Sequence, residues 1–444
     1  MVRSRHYTPY QWSVLGVVTM TGQTDTKDPG EAWRQSMTDP VRDLLRREGR
    51  QPDLDHIRSL FPPTTGDPAF DPTLIDGSVR RIITVPEVRT GNDYLDRSIK
   101  TGLAHIDATF QGDHPKYGVR NYGENYNDGF PPIIIAAVDA LTCWGLNARA
   151  AQLFRYWLAN FVLDDGAIRY GGTSLAEMGQ LLHTAALLHE RAGPVGWWRG
   201  GRRALDRIAQ LLLSLRRQAE DGDGLLTGVP EDDEKGRVGT YFHNNAWVSR
   251  GLQRYADLCE RLDASPATSC KVMRDVANAL ARDTLGAIRR CWPRDETDWW
   301  LPPQVEPLER PRSMTATREA SYTNYRYWPE LLSSGILPRK LAERVIQSRL
   351  TAGGQFCGTT RFADWLDDWP LADYLHALWS LGRKWDFLLS LYGHVAYHQA
   401  EGHLTAYEQV SFPPEREIAA YCLPTQLVAA RAARLLVSDG GRAR

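Results

Sequence analysis

The sequence predicts an all-helical, all-α domain of the (α/α)6 toroid class, in which six helical hairpins close into a ring. From about residue 94 onward, apolar residues recur at i, i+3 and i+4, which is the spacing of amphipathic helices. The helix candidates number roughly twelve and follow one another in six consecutive pairs. Only one strand candidate, Val79–Val88, precedes them, which argues against a βαβ sheet.

Gly and Pro residues mark the ends of most helix candidates. The candidates are Tyr94–Phe110, Pro132–Trp144, Ala148–Val162, Ser174–Arg191, Gly196–Gln218, Thr240–Leu262, Ala267–Arg290, Tyr325–Ser333, Pro338–Leu350, Leu371–Leu381, Trp385–Ala400 and Glu415–Val437. A helical solenoid is the architectural alternative, but no fixed repeat period supports it.

Several of the connecting loops are long and rich in Asp, Glu, Gly and Trp. They are Gln111–Pro131, Ala219–Gly239, Cys291–Asn324, Gly353–Pro370 and Glu401–Pro414. In a ring of hairpins, alternate loops emerge on the same face, so we expect the long loops to converge on one surface and form the functional site.

The domain organisation follows from where the helical pattern begins and ends. Pro and Asp recur in residues 1–90 without helical spacing, so we expect an irregular N-terminal arm or cap there. Residues 91–438 are predicted to form the (α/α)6 catalytic domain, and residues 439–444 a tail.

Composition narrows the function classes. The formal net charge of −1 lacks the basic excess of a nucleic-acid-binding protein. No secretory signal is visible, and the longest apolar stretch, near Pro131–Trp144, is too short to span a membrane. The six cysteines form no CxxC pair, which is typical of reduced thiols in a cytosolic protein. We therefore expect a cytoplasmic protein that binds neither nucleic acid nor membrane.

The sequence offers little to hold a metal or cofactor. His183 and His189 are six residues apart and do not share a helical face, and no Gly-rich phosphate loop is present. We expect no metal site and no cofactor.

Aromatic residues are unusually frequent and unusually placed. The chain has 15 Trp and 18 Tyr, and many lie in polar, Gly/Pro-rich segments beside Asp, Glu and Arg. Core filling is one interpretation. The other is a carbohydrate site, because sugar C–H faces stack on aromatic rings while the hydroxyls need charged and amide partners.

The loop Ala219–Gly239 carries four consecutive acidic residues just before a helix that holds His243 and Trp247. These acids are Glu231, Asp232, Asp233 and Glu234. A solvated acidic loop is the ordinary interpretation, but a long loop inside a helical domain is more often functional or disordered. We therefore treat the four acids as catalytic candidates.

Other loops repeat the mixture of acid, amide and aromatic residue. Glu408 lies between Tyr407 and Gln409, where a surface glutamate is the alternative interpretation. Helix capping could account for Asp128 and Asp368. The predicted substrate-binding residues, which would bind sugar hydroxyls or stack on sugar rings, are Asp128, His243, Trp247, Glu319, Tyr325, Arg326, Trp328 and Asp368.

Three segments resemble the six-hairpin glycosidase superfamily, which includes glucoamylases and related hydrolases. They are GAIRYGGTSLAEMGQLLHTAALL, the turn DGLLTGVPEDD, and YFHNNAWVSRGL. The segment LTAYEQVSFPPEREIAAYCLPTQLVAARAARLL is similar to the last hairpin of glucoamylase-like enzymes. The resemblance covers roughly residues 94–438.

The resemblance implies a glycoside hydrolase, in which a glutamate of a Glu-Gln pair before the last helix is the catalytic base. The matching residue is Glu408. The general acid of these relatives lies in an acidic turn before a helix, which matches Glu231 to Glu234, and the Pro-Glu-x-Asp arrangement favours Glu231. Most such toroids invert configuration, so the resemblance implies an inverting hydrolase of an oligo- or polysaccharide or other glycoside.

Two alternatives remain. A polysaccharide lyase would need a Tyr or His base and an Asn or Arg to neutralise a uronate. His243, Asn244, Tyr325 and Arg326 offer these groups. A non-catalytic carbohydrate-binding toroid would bind sugar without turnover.

Overall fold

A computed structural model describes part of the chain: residues 88–110, 112–115, 128–170, 174–193, 196–219, 222–231, 237–262, 268–292, 300–399, 404–411 and 423–439. Its contacts divide the chain into two units. We call residues 1–108 together with 355–444 the terminal unit, and residues 109–354 the central unit.

Helices dominate the described residues. In chain order they are α1 (Asp93–Thr109), α2 (Pro131–Cys143), α3 (Asn147–Phe161), α4 (Leu175–Ala192), α5 (Trp197–Gln218), α6 (Phe242–Arg261), α7 (Cys270–Cys291), α8 (Arg318–Tyr322), α9 (Trp328–Ser333), α10 (Arg339–Thr351), α11 (Leu371–Ser380), α12 (Lys384–Gly393), α13 (Leu423–Gln426) and α14 (Val428–Asp439). Two π-helical segments, Thr323–Tyr327 and His394–His398, continue α8 and α12 respectively. None of the described helices combines the length and apolarity that a membrane crossing needs.

In the central unit, local sequence signals set where helices begin. Ser174 and Glu177 form a capping box at the start of α4, in which each side chain bonds the backbone N–H of the other residue. Pro131 and Pro132 open α2, where the missing proline N–H removes no helical hydrogen bond.

Helices α4 and α6 approach so closely that there is no space for a side chain where their glycines meet. A Cβ built on Gly179 would overlap the backbone carbonyl of Trp247, and one built on Gly251 would overlap the carbonyl of Gly179. The contact therefore depends on the absence of side chains at these two positions, because backbone atoms have little freedom to give way.

The helical run Arg318–Ser333 is longer than the sequence pattern predicted. We expected a helix over Tyr325–Ser333, but α8 begins at Arg318 and continues through the π-helical turn into α9. Thr317 caps the start of α8 by accepting a hydrogen bond from the N–H of Ala320 at 3.1 Å. The wider π turn interrupts the i, i+3, i+4 periodicity, so the first turns do not show a helical pattern.

The terminal unit contains a four-stranded antiparallel sheet that the sequence pattern did not predict. Its strands are β1 (Gln355–Phe356), β2 (Thr359–Phe362), β3 (Trp365–Asp367) and β4 (Gln409–Ser411), in the order β1-β2-β3-β4. Assigning the loops Gly353–Pro370 and Glu401–Pro414 entirely to irregular structure was therefore wrong. Strands of two to four residues are too short for a periodic signal and are stabilised by pairing with each other.

Register in this sheet places acidic and amide residues side by side. Phe356 pairs with Thr359 across the Cys357–Gly358 turn, whose two residues adopt left-handed φ values of 49° and 84°. Such turns match the twist of a hairpin. Further along, Asp367 on β3 pairs with Gln409 on β4. This pairing brings the adjacent aspartates Asp367 and Asp368 next to the segment that contains Glu408.

Several predictions fall outside the described residues. These are the N-terminal arm at residues 1–90, apart from its last three residues, most of the strand candidate Val79–Val88, the first part of the predicted helix Glu415–Val437, and most of the tail at 439–444. Three of the four acidic catalytic candidates, Asp232, Asp233 and Glu234, also lie outside the described residues. The single domain over residues 91–438 stays a prediction.

We expect Gly179→Ala to destabilise the protein by about 1–3 kcal/mol, because the added methyl group has no space between α4 and α6. Urea unfolding monitored by circular dichroism measures the change. Gly286→Ala is the matched control, since Gly286 lies inside α7 and a Cβ built there would meet, among the described side chains, only Nη1 of Arg290 at 3.5 Å. Alanine should stabilise that helix by up to about 1 kcal/mol. Equal effects at both positions would contradict the packing argument.

Candidate active site

A buried arginine organises the polar residues of the central unit. Arg326, in the π-helical segment after α8, donates from Nε to Glu330 at 2.7 Å and from Nη1 to Glu231 at 2.7 Å. Its Nη2 donates to Glu177 at 2.5 Å. At most 5% of the surface of any of the four residues is exposed. One guanidinium thus binds carboxylates from three separate segments of the chain.

The electrostatics of this cluster keep Arg326 charged. Burial opposes the charge of Arg326, but Glu330, Glu177 and Glu231 outweigh it and hold the pKa of the guanidinium well above its ordinary value. Hydrogen bonds from a charged donor stabilise the carboxylate form of their acceptor. Glu231 is therefore anchored by a buried guanidinium that it shares with Glu177 and Glu330.

Two asparagines at the start of α6 fix the loop that carries Glu231. Asn245 donates to the carbonyl of Leu226 at 3.0 Å and accepts from the N–H of the same residue at 2.8 Å. Asn244 donates to the carbonyl of Val229 at 2.9 Å and accepts from Ala176 N–H at 3.1 Å. Both asparagines are fully buried, so this Asn-Asn pair holds the turn rigidly beside α6 and α4.

His243 completes the surroundings of the cluster as a neutral imidazole. Its Nε2–H donates to the carbonyl of Pro230 at 3.1 Å, and its ring stacks on Tyr327 with centroids 4.6 Å apart. Burial, helped by the charge of Arg326, lowers the pKa of His243 to about 3 despite the bond to Pro230. The residue therefore carries no positive charge at neutral pH.

In the terminal unit, Asp367 is a buried carboxyl that favours its proton. It accepts hydrogen bonds from the side-chain amide of Gln409 at 2.8 Å and from the N–H of Trp369 at 3.1 Å. Burial, together with the nearby charge of Glu408, raises the pKa of Asp367 well above its ordinary value. Within the described residues, no salt bridge pairs Asp367 with a cationic side chain.

The neighbouring Asp368 has the opposite character. Its Oδ2 accepts from Nδ1–H of His394 at 3.0 Å, and its Oδ1 accepts from the N–H of Thr360 at 2.8 Å. Burial alone would raise the pKa of Asp368, but His398 and the hydrogen bond from His394 lower it. Consecutive buried aspartates are thus driven toward different protonation states by their partners.

Glu408 lies just before β4 and is half-buried. The segment that carries it is held at both ends. Before it, the N–H of Ala406 donates to Oε1 of Gln426 on α13 at 2.9 Å. After it, the Gln409 side chain donates to Asp367. This places a partly exposed carboxyl next to a buried one that favours the protonated form, which is the environment difference expected of an acid–base pair.

Comparison with known proteins finds structural similarity but no sequence match. No protein-family profile and no curated protein matches the chain. Among solved structures, a glycosidase variant is 13% identical with a TM-score of 0.55, and the match covers 78% of this chain and 97% of that one.

Two further structures are similar. A rhamnosidase from Klebsiella oxytoca with rhamnose bound has a TM-score of 0.56 at 13% identity, with 80% of this chain and 66% of that one covered. An unsaturated glucuronyl hydrolase specific for heparin has a TM-score of 0.51 at 12% identity, with coverages of 79% and 98%. The chain has the fold of these structures, the (α/α)6 toroid of six helical hairpins. The predicted (α/α)6 class is thereby confirmed.

Within the six-hairpin fold, the predicted site residues fall into separate groups. Glu231 and Arg326 share one cluster, with His243 beside it, in the central unit. Glu408 and Asp368 belong to the terminal unit. The assignment of Glu231 and Glu408 as catalytic acid and base stays a prediction.

The other predicted binding residues have partners of their own in the central unit. Buried Asp128 bonds His114 at 2.8 Å, and Glu319 bonds Arg237. Trp247 is buried with its ring against His183, at a centroid distance of 5.5 Å.

Two aromatic residues of the π-helical region are also buried. The Tyr325 ring lies 6.1 Å from that of Tyr322 in an edge arrangement. The Trp328 indole N–H donates to the carbonyl of Leu301 at 3.2 Å. In this conformation both rings therefore serve the core.

Sequence reasoning did not single out five residues that complete the clusters: Glu177, Glu330, Asp367, His394 and His398. Glu330 stands at i+4 from Arg326 and His398 at i+4 from His394, a spacing that places side chains together on a helix. Glu177 belongs to a Ser-x-x-Glu pattern, which is typical of a capping box and therefore gives no indication of a functional site. In the described part of the chain, no cluster of His, Cys, Asp and Glu side chains is arranged to hold a metal ion.

The opposite pKa shifts of Asp367 and Asp368 predict opposite pH effects of removing each carboxyl. The folded state holds a proton on Asp367 above the ordinary pKa of 3.8, so the unfolding free energy falls as pH rises from there. Asparagine mimics the protonated acid, so Asp367→Asn should gain stability relative to the wild type as pH rises above 3.8, by about 1.4 kcal/mol per unit of pKa displacement.

Asp368→Asn is the matched control. The lowered pKa of Asp368 contributes stability above 3.8 that is lost as pH falls through the folded-state value. This variant should therefore be less stable than the wild type at pH 7, and the deficit should shrink in acid. Urea unfolding across the pH range measures both differences. Two variants that change in the same direction with pH would contradict the assignment.

Proposed function

We propose that the protein is a glycoside hydrolase that cleaves O-glycosidic bonds by general acid–base catalysis. The observation that carries the proposal is the carboxyl pair of the terminal unit: Asp367, buried and favouring its proton, beside the half-buried Glu408. Hydrolysis of a glycosidic bond needs one protonated carboxyl group, which gives its proton to the leaving oxygen, and one ionised carboxyl group, which activates water. The six-hairpin fold supports the proposal, since its similar structures are named as glycosidases.

In the proposed mechanism, Glu408 acts as the general base, as the sequence resemblance implies. It takes a proton from water while the water oxygen bonds to the anomeric carbon. A protonated carboxyl gives its proton to the leaving oxygen as the glycosidic C–O bond breaks, so one proton enters and one leaves the carboxyl pair. The sugar is released with inverted configuration.

Two residues are candidates for the proton donor. Glu231 is the acid predicted from the sequence, and Asp367 is the one its surroundings favour. Glu231 bonds the guanidinium of Arg326, which stabilises the charged carboxylate. Asp367 is next to a negative charge, which stabilises the neutral acid. We therefore propose Asp367 as the donor.

The proposed substrate is an oligosaccharide, polysaccharide or other glycoside. One similar structure has rhamnose bound, another is in complex with glucose, and a third is specific for heparin. The high content of Trp and Tyr in loops supports carbohydrate binding in this chain as well. A cytoplasmic location is part of the proposal and rests on the cysteine pattern alone.

Three of the side chains that the lyase alternative requires already make hydrogen bonds within the protein. Arg326 binds three carboxylates, and Asn244 holds the backbone of Val229 and Ala176. The low pKa of His243 suits a neutral base, but its Nε2–H is bonded to Pro230. No specific observation favours the lyase.

We expect Glu408→Gln to reduce kcat by about 10²–10⁴-fold, since it removes the group that activates water. A panel of 2,4-dinitrophenyl and 4-methylphenyl glycosides of glucose, rhamnose and glucuronic acid, in both anomers, measures the loss. Glu343→Gln is the control, because Glu343 lies on the surface of α10 in a pair with Arg339 and should retain full activity.

The same panel separates acid from base. A dinitrophenol leaves without protonation, whereas a methylphenol needs it. Asp367→Asn should therefore lose activity mainly on methylphenyl glycosides, while Glu408→Gln loses it on both. The same selective loss in Glu231→Gln would assign the acid to Glu231. Sugar binding without turnover by the wild type would identify a non-catalytic toroid, and an absorbing unsaturated product would identify a lyase.

A further inference from the structure

The backbone that carries the carboxyl pair is itself held by a second, fully buried polar group. Asp367 is followed directly by Asp368, and Glu408 is preceded directly by Tyr407. Nε2–H of His398 donates to the carbonyl of Tyr407 at 2.6 Å. Asp368, the neighbour of Asp367, accepts a hydrogen bond from His394. Tyr407, the neighbour of Glu408, accepts one from His398.

The hydrogen bonds of this cluster define the form of both histidines. A carbonyl can only accept, so His398 carries its proton on Nε2. The ionised Asp368 accepts from His394, so His394 carries its proton on Nδ1. Nδ1 of His398 lies 3.9 Å from Oδ2 of Asp368, beyond hydrogen-bond distance, and burial lowers the pKa of His398.

The cluster also links separate elements of the terminal unit. Asp368 follows β3 and bonds the N–H of Thr360 on β2. His394 and His398 belong to the π-helical segment after α12 and stack with ring centroids 5.6 Å apart. All three side chains are fully buried. Each of the three side chains makes a hydrogen bond, although Nε2 of His394 and Nδ1 of His398 have no hydrogen-bond partner among the described residues. Burial restricts the movement of these groups, which suits a positioning role.

We propose that Asp368, His394 and His398 form an imidazole clamp that sets the position of Glu408 relative to Asp367. His398 acts on Tyr407, the residue before Glu408, and Asp368 fixes the end of β3 just after Asp367. The inference rests on the proposed function, in which these two carboxyls react together. The three clamp residues are positioning residues and touch no reacting atom.

The clamp predicts which replacements of His398 retain function. His398→Phe keeps the ring but removes the donor to Tyr407, so kcat should fall by about 10–100-fold with KM changed less than about threefold, since small misplacements near reacting groups have effects of this size. His398→Gln places an amide N–H near the position of Nε2 and should restore most of kcat.

His398→Asn is the second variant, because its amide is too short to reach Tyr407 and it stays polar if the phenylalanine variant does not fold. It should resemble His398→Phe. His376→Phe is the matched control: this half-buried histidine of α11 lies 3.4 Å from the carbonyl of Arg431 and should keep wild-type kcat.

A second readout does not depend on activity. Carboxyl ¹³C NMR titration of the wild type should show Asp367 and Glu408 titrating as an interacting pair. His398→Phe or His398→Asn should weaken that interaction, and His398→Gln should retain it. Unchanged titration and unchanged kcat in these variants would overturn the clamp while leaving glycoside hydrolysis intact. If the wild type cleaves no glycoside but the His398 variants change the titration as expected, the proposed function is overturned and the clamp is upheld.

Discussion

The cost of burying a carboxyl group is the constraint on which the rest of this structure depends. A charged carboxylate removed from water needs a cation, a set of donors or a proton. The protein uses all three. Glu177, Glu231 and Glu330 share the guanidinium of Arg326, and Asp368 is bonded by His394 with His398 nearby. For Asp367, burial and the charge of Glu408 instead raise the pKa well above its ordinary value, which favours the protonated form. That difference makes Asp367 the most chemically distinctive acid among the described residues.

Both π-helical segments carry the partners of these buried acids. Thr323–Tyr327 contains Arg326, and His394–His398 contains both clamp histidines. A π turn widens the helix by about one residue per turn and costs hydrogen-bond geometry, so it persists where a function or a strong contact maintains it. In each unit, the widened turn presents a cationic or imidazole group to carboxylates from distant segments, and the bonds gained there offset the irregular backbone.

Sequence patterns predicted the parts of this protein that local physics decides. Most helix candidates match observed helices closely, as Leu371–Leu381 matches Leu371–Ser380, because their periodicity and their Gly and Pro boundaries are local. The predicted (α/α)6 fold class was confirmed. The short strands β1–β4 were missed because each depends on pairing that no single segment reveals. The selection of Glu231 and Arg326 recovered two members of one cluster, although they are 95 residues apart.

What the sequence could not reveal is how each acid is compensated. Asp367 and Asp368 are adjacent and chemically identical in the printed chain, yet their partners come from β4 and from the π-helical segment. Glu177 looked like a helix cap, and it is one, but the same carboxylate also binds an arginine 149 residues away. Protonation states depend on such long-range partners and on burial, neither of which is encoded in local spacing.

The proposed acid–base pair requires that Asp367 hold a proton at neutral pH and that Glu408 be ionised. Neutron diffraction from crystals equilibrated in D₂O near pD 7 tests it directly, because deuterons on carboxyl oxygens are visible to neutrons. The account predicts a deuteron on an Asp367 oxygen and none on Glu408 or Asp368. A bare Asp367, or a deuteron on Glu408 in its place, would contradict it.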